Sequence, residues 1–97
     1  MFEPEKKCYL TRGVDETIPV ELQLFMWEAI DRMPQPRDYL QVFNLSVENS
    51  LQCIIHKSEQ PEYEMKYILP TVEKTVIAKI YVIDSEEYCT MLLAEEY

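Results

Sequence analysis

Ninety-seven residues, 47 % of them hydrophobic, suit one domain with a workable core and do not have the composition of a disordered chain. Nine Lys and Arg against eighteen Asp and Glu leave a formal net charge of −9. That lacks the cationic footprint of direct nucleic-acid binding; on charge alone it serves solubility, and it can also steer the chain toward basic protein surfaces. No apolar run approaches the roughly 18 residues of a membrane span, and the opening "MFEPEKKCYL" lacks the apolar segment of a secretory signal, so the expectation is a cytoplasmic protein.

"KKCYLTR" reads as a first strand, closed by Gly13, the only glycine, which is expected to hold a backbone conformation that other residues resist. "VDETI" then leads to Pro19, suited to a first helical turn, and the helix is predicted over residues 19–33, with "PQP" at 34–36 stopping it. At about 100° per residue, Leu22, Phe25, Met26, Ala29, Ile30 and Met33 fall on one side. Val20, Leu24 and Trp27 cluster nearly opposite, between Gln23 and Asp31. Either the chain's own segments at 1–6 or 34–38 cover this second stripe, or it is the apolar centre of an interface. Asp31, nearly in line with Leu24, would be an expensive neighbour if the stripe were sealed inside the fold. The expectation is therefore a partly exposed Trp27 whose truncation to Ala weakens binding by about 2 kcal/mol or more and leaves stability nearly unchanged.

Beyond the helix the pattern turns strand-like. "DYLQVFNLSV" and "SLQCIIHKS", joined by "ENS", predict a hairpin. "EYEMKYIL", bracketed by Pro61 and Pro70, alternates Tyr63, Met65, Tyr67 and Leu69 with Glu62, Glu64 and Lys66, as an edge strand does. "TVIAKIYVI" and "YCTMLLAEE" flank "DSEE" as a second hairpin. In the first of these, Val76, Ala78, Ile80 and Val82 oppose Ile77, Tyr81 and Ile83, so both faces are apolar. The fold class that follows is α+β, a single domain over 1–97 with one main helix packed on an antiparallel sheet of about six strands. One helix cannot bury both faces: the sheet curls into a partial barrel, or a second molecule covers the remaining face.

"YLTRGV", "IPVELQLFMWEAID", "DYLQVFNLS", "QPEYEMKYILP" and "AKIYVIDSEEYCTMLLAEEY" together resemble the small Firmicutes family known as domain of unknown function 960, over nearly the whole chain. The resemblance implies a bacterial cytosolic protein. It carries no established activity, cofactor or catalytic residue.

Several chemistries fail by counting. One glycine cannot build a phosphate loop or a dinucleotide fingerprint, and one histidine cannot build an H-E-x-x-H zinc site. Alternation puts His56 on the face opposite Cys53 and Ile55, and it is expected to be an exposed strand histidine. Cys8, Cys53 and Cys89, widely spaced and odd in number, read as small core residues rather than disulfides or metal ligands. "DSEE" lacks the spacing of a calcium loop and reads as a solvated turn. Tyr39, Tyr63, Tyr67, Tyr81, Tyr88 and Tyr97 lie beside acids or in strands near them, which suits interfaces and core packing alike.

No catalytic, cofactor or metal site is assigned. The leading reading is a non-enzymatic interaction or regulatory protein that docks on a basic protein partner, in one form inhibiting a nucleic-acid-binding protein by setting carboxylates where phosphates would lie. Val20, Leu24 and Trp27 would be its apolar contacts, and Glu62, Glu64, Glu86 and Glu87 its charges. The alternative is a homodimer that buries the sheet face, and the third reading is a small hydrolase.

Overall fold

The computed structural model describes residues 7–70, 72–85 and 87–97. In chain order these form β1 (Lys7–Leu10), α1 (Arg12–Thr17), α2 (Val20–Asp31), β2 (Leu40–Glu48), β3 (Leu51–Glu59), β4 (Glu62–Leu69), β5 (Ala78–Asp84), β6 (Tyr88–Leu93) and a closing 3₁₀ turn, Ala94–Glu96. The strands make one open sheet in the order β1-β6-β5-β2-β3-β4. It does not close into a barrel. Each neighbouring pair is antiparallel except β1 and β6, which run parallel.

Local chemistry explains most of these elements. Asn49 and Ser50 both take left-handed backbone angles (φ 52° and 67°), which a two-residue hairpin turn between twisted strands requires. The β4-to-β5 connection passes over two strands and is held by Gln52. Its side-chain oxygen accepts from Val76 N–H (2.8 Å) and its amide donates to Val76 C=O (3.1 Å), imitating a ladder pair. Arg37 stops α2 by donating to the carbonyls of Met33 (2.9 Å) and Asp31 (3.0 Å), which have no further helical turn to accept from. The β3–β4 turn is pinned by Asp38, whose carboxylate accepts from the N–H groups of Gln60 (2.9 Å) and Glu59 (3.1 Å). Burial alone would raise that carboxyl, but the surrounding backbone N–H groups outweigh it and hold Asp38 below the usual range.

Two expectations are corrected here. The segment "RGVDET" is a helix, capped by the Thr11 side chain accepting from Val14 N–H. Gly13 sits inside it without a positive φ. Its missing side chain serves a close approach instead: a Cβ would stand 2.5 Å from a carboxylate oxygen of Glu96. That carboxylate accepts from Thr11 Oγ1 (2.6 Å), Leu93 N–H (2.8 Å) and Gly13 N–H (3.2 Å), tying the C-terminal tail to the start of α1. The Thr11 hydroxyl first, then the Leu93 N–H, keep Glu96 below the ordinary carboxylate value.

Alternation divides the sheet into two faces. On the core face, Phe43, Leu45, Ile54, Ile80, Val82, Cys89 and Met91 join Val14, Ile18, Leu22, Met26, Ala29 and Ile30 in one buried cluster. The outer face carries the alternate residues, among them Leu40, Val42, Ile55, Tyr81 and Ile83, all part-exposed.

Candidate functional site

On α2 the expected two stripes are present. Leu22, Met26, Ala29 and Ile30 are buried, while Val20 and Leu24 remain 65 % and 61 % exposed. Gln23, between the stripes, turns inward and donates to the Ile18 carbonyl (2.7 Å), which fixes the α1–α2 corner. Trp27 is half-buried, packed against the core cluster. The stripe therefore splits: Val20 and Leu24 are mostly exposed, Trp27 divides its surface between core and solvent, and the segment 1–6 expected as one cover lies outside the described residues. Val20 borders a shallow depression at the α1–α2 corner, which Asp15, Glu16, Glu21 and Glu73 also line, with Lys74 as its cation. Farther along α2, Glu28 pairs with Arg32 (3.7 Å) and Asp31 is exposed. Val20 thus sits beside four carboxylates, and Leu24 is exposed one helical turn away.

The acids singled out in the sequence lie elsewhere. Glu62 and Glu64 stand on β4, on the outer face, where Glu64 pairs with Lys57 at 3.9 Å. Glu87 is exposed in the β5–β6 turn, and Glu86 lies outside the described residues. The candidate residues therefore belong to different surfaces rather than one. Glu62 and Glu64 help line a broad trough with Leu40, Val42, Asn44, Lys57 and Lys79. The carboxylates at the α1–α2 corner were legible only through their neighbour Val20, because Glu73 reaches that corner from the distant β4–β5 connection.

His56 is the clearest correction, for it is fully buried rather than exposed. Alternation holds, with His56 opposite Cys53 and Ile55, but the histidine shares the core face with Ile54, stacked on Phe43 (4.2 Å between centroids) and edge-on to Tyr63 (5.1 Å). Gln41 gives its amide N–H to the Asp38 carbonyl (2.8 Å), so its oxygen faces His56 Nε2 at 2.7 Å. Nε2 must then carry the proton, and Nδ1 is a buried acceptor with no partner among the described residues. Burial pushes the imidazole down to about 4, so it stays neutral at physiological pH. Of the cysteines, Cys53 and Cys89 are buried as expected, and Cys8 is exposed on β1. The Cys89 thiol donates to Asp84 (3.2 Å), and burial, then Glu48, raises that of Cys53. Among the described residues no three His, Cys, Asp or Glu side chains form a metal-binding group, and no helix is long and apolar enough to cross a membrane.

A family model described as "Staphylococcal protein of unknown function (DUF960)" matches residues 7–96. No curated protein matches the chain. Among solved structures, a crystal structure of a protein of unknown function from Enterococcus faecalis is similar, at 26 % identity and a TM-score of 0.87, with 99 % of this chain and 94 % of that one covered.

Proposed function

The chain belongs to the DUF960 family, and we propose that it acts without catalysis, as an adaptor or regulator that docks a basic protein on the α1–α2 corner. One observation carries this reading. Val20 and Leu24 stay largely exposed on a helix whose other side is committed to the core, and Val20 borders Asp15, Glu16, Glu21 and Glu73, with Lys74 the one cation there. Exposed aliphatic side chains supply contact area, and the carboxylates around them select a partner of opposite charge and speed its approach. A surface that binds phosphate would have the required lysines and arginines. Trp27, half in the core, would stiffen the contact from behind.

The test is co-purification from a staphylococcal lysate with three baits: the wild-type chain, Val20→Asp/Leu24→Asp, and Glu21→Lys/Glu73→Lys. The expected result is a set of basic proteins retained by the wild type, released as salt rises, and lost from both variants. Screening over about 8 Å at physiological ionic strength makes that salt sensitivity a direct signature of exposed charge. Retention of the same proteins by both folded variants would overturn the assignment.

A further inference from the structure

The outer face of the sheet differs from the rest of the surface in its charge. Its strand residues include Lys7, Lys57, Lys66 and Lys79 against Glu48, Glu59, Glu62 and Glu64, which balance one for one. The strands of this face therefore contribute nothing to the net charge of −9. The same face is unusually apolar along β6, β5 and β2. Thr90, Ile83 and Leu40 form one row across these strands, and Leu92, Tyr81 and Val42 the next. Tyr97 reaches this block from the tail, its ring edge-on to Tyr81 at 5.5 Å. Across β3 and β4 the face turns ionic, with Lys57 paired to Glu64 and Lys66 to Glu48 (3.1 Å).

We propose that this face docks a second copy of the same chain, sheet against sheet, about a two-fold axis. Three physical arguments favour a copy over another occupant. Two chains of charge −9 repel at almost any approach, and a locally neutral face is where that repulsion is least. A two-fold contact must be self-complementary, and a face bearing both lysines and glutamates can set each against the other in its copy, which a face of one sign cannot. The dimensions also suffice. Six strands about 4.8 Å apart and roughly 20 Å long present an area of the same order as the roughly 800 Å² per partner of a standard stable interface. The apolar rows would form the centre, and the lysines and glutamates, with their long stems, the rim. The β4 edge, bearing Glu62, Glu64 and Lys66 between Pro61 and Pro70, is poorly suited to pairing edge to edge, so the contact is face to face.

This surface is distinct from the α1–α2 corner, so each proposal can fail alone. The experiment is sedimentation over a concentration series, with native mass spectrometry of mixtures. The wild type is expected to pass from monomer to dimer. Lys57→Glu/Lys79→Glu and Glu62→Lys/Glu64→Lys shift the balanced strand charges of the face to −4 and +4 and should each remain monomeric, whereas an equal mixture of the two should form the mixed dimer. Should either double variant fail to fold, as judged by circular dichroism, Lys79→Glu alone should weaken dimerisation about tenfold, since it exchanges one exposed cation for an anion on the same face. A wild type that stays monomeric at every concentration would overturn the proposal. So would a dimer unaffected by these variants and abolished by Leu24→Asp.

Discussion

The α1–α2 corner and the outer sheet face expose similar aliphatic groups in opposite electrostatic settings. At the corner, Val20 borders four carboxylates and one lysine, with Leu24 exposed one turn farther along the helix. On the sheet, Leu40, Val42 and Ile83 share a face whose strands carry lysines and glutamates in equal number. Apolar area makes either surface adhesive, but the charge around it decides to what. A mainly acidic rim rejects a copy and recruits an opposite, while a balanced rim accepts a copy. Net charge alone hides this distinction, because −9 averages an acidic corner with sheet strands whose charges balance.

The largest expected effect strikes what the two surfaces share, the core between them. His56 has a folded-state value of about 4, below its ordinary 6.5, so as the pH falls the unfolded chain takes up the proton first. Stability is then fully present above about pH 6.5 and drains away down to about pH 4, by roughly 3 kcal/mol in all. His56→Gln keeps an N–H for the Gln41 oxygen and removes the titration, so its urea-unfolding midpoint should fall less between pH 7 and pH 4.5. Identical pH profiles for the two proteins would show that His56 is not the titrating group. In that window both surfaces should weaken together, and a surface that weakens alone would break the idea of a common foundation.

Next in size is Trp27→Ala. A fully buried tryptophan costs about 3–5 kcal/mol on truncation, and one packed against the core on one side should cost about 2–3, whereas Leu24→Ala should stay within about 0.5. Thermal denaturation separates the two. Equal, small losses would return Trp27 wholly to the docking surface, as the sequence alone suggests.

How far the sequence reaches is clear from single residues. Alternation located the faces of "AKIYVI" and "EYEMKYIL" and the turn at Asn49–Ser50, because period-2 pattern and turn chemistry are local. It does not say which face of "CIIHKS" is inside, since Ile54 and Ile55 are equally apolar, and polarity alone then points His56 to solvent. The α1 helix escaped notice because six residues containing glycine show no amphipathic period, although Thr11 ahead of Asp15 was an available capping signal. The parallel β1–β6 pair and the Gly13–Glu96 contact join the two ends of the chain, and no local pattern encodes them.

That terminal tie supplies a smaller, sharper test. Gly13→Ala places a methyl group on the Glu96 carboxylate, which must swing away and give up Thr11, Gly13 and Leu93. Melting temperature should fall, by less than in Trp27→Ala. In a Glu96→Ala background the same change should turn neutral or stabilising, as alanine ordinarily is within a helix. Because the tail also sets Tyr97 against Tyr81, self-association should suffer while basic-partner capture does not. Equal effects on both would blur the division between the surfaces.

The smallest expected change is a gain. Ser50 holds φ 67° in the β2–β3 turn, a left-handed angle that costs a residue with a Cβ about 1 kcal/mol and glycine almost nothing. Ser50→Gly converts the turn to Asn-Gly, the pair that such hairpins favour most, and should stabilise the fold by about 0.5–1 kcal/mol in urea titration. The turn lines neither the α1–α2 corner nor the trough beside β3 and β4. A more stable chain with unchanged dimerisation and unchanged partner capture would therefore show that both activities follow surface chemistry rather than global stability. It would also give the destabilising variants a background in which they remain folded. If Ser50→Gly instead strengthened both associations, losses seen in the other variants would have to be read first as losses of fold, and the contrast between the two surfaces would rest on the charge-swap mixtures alone.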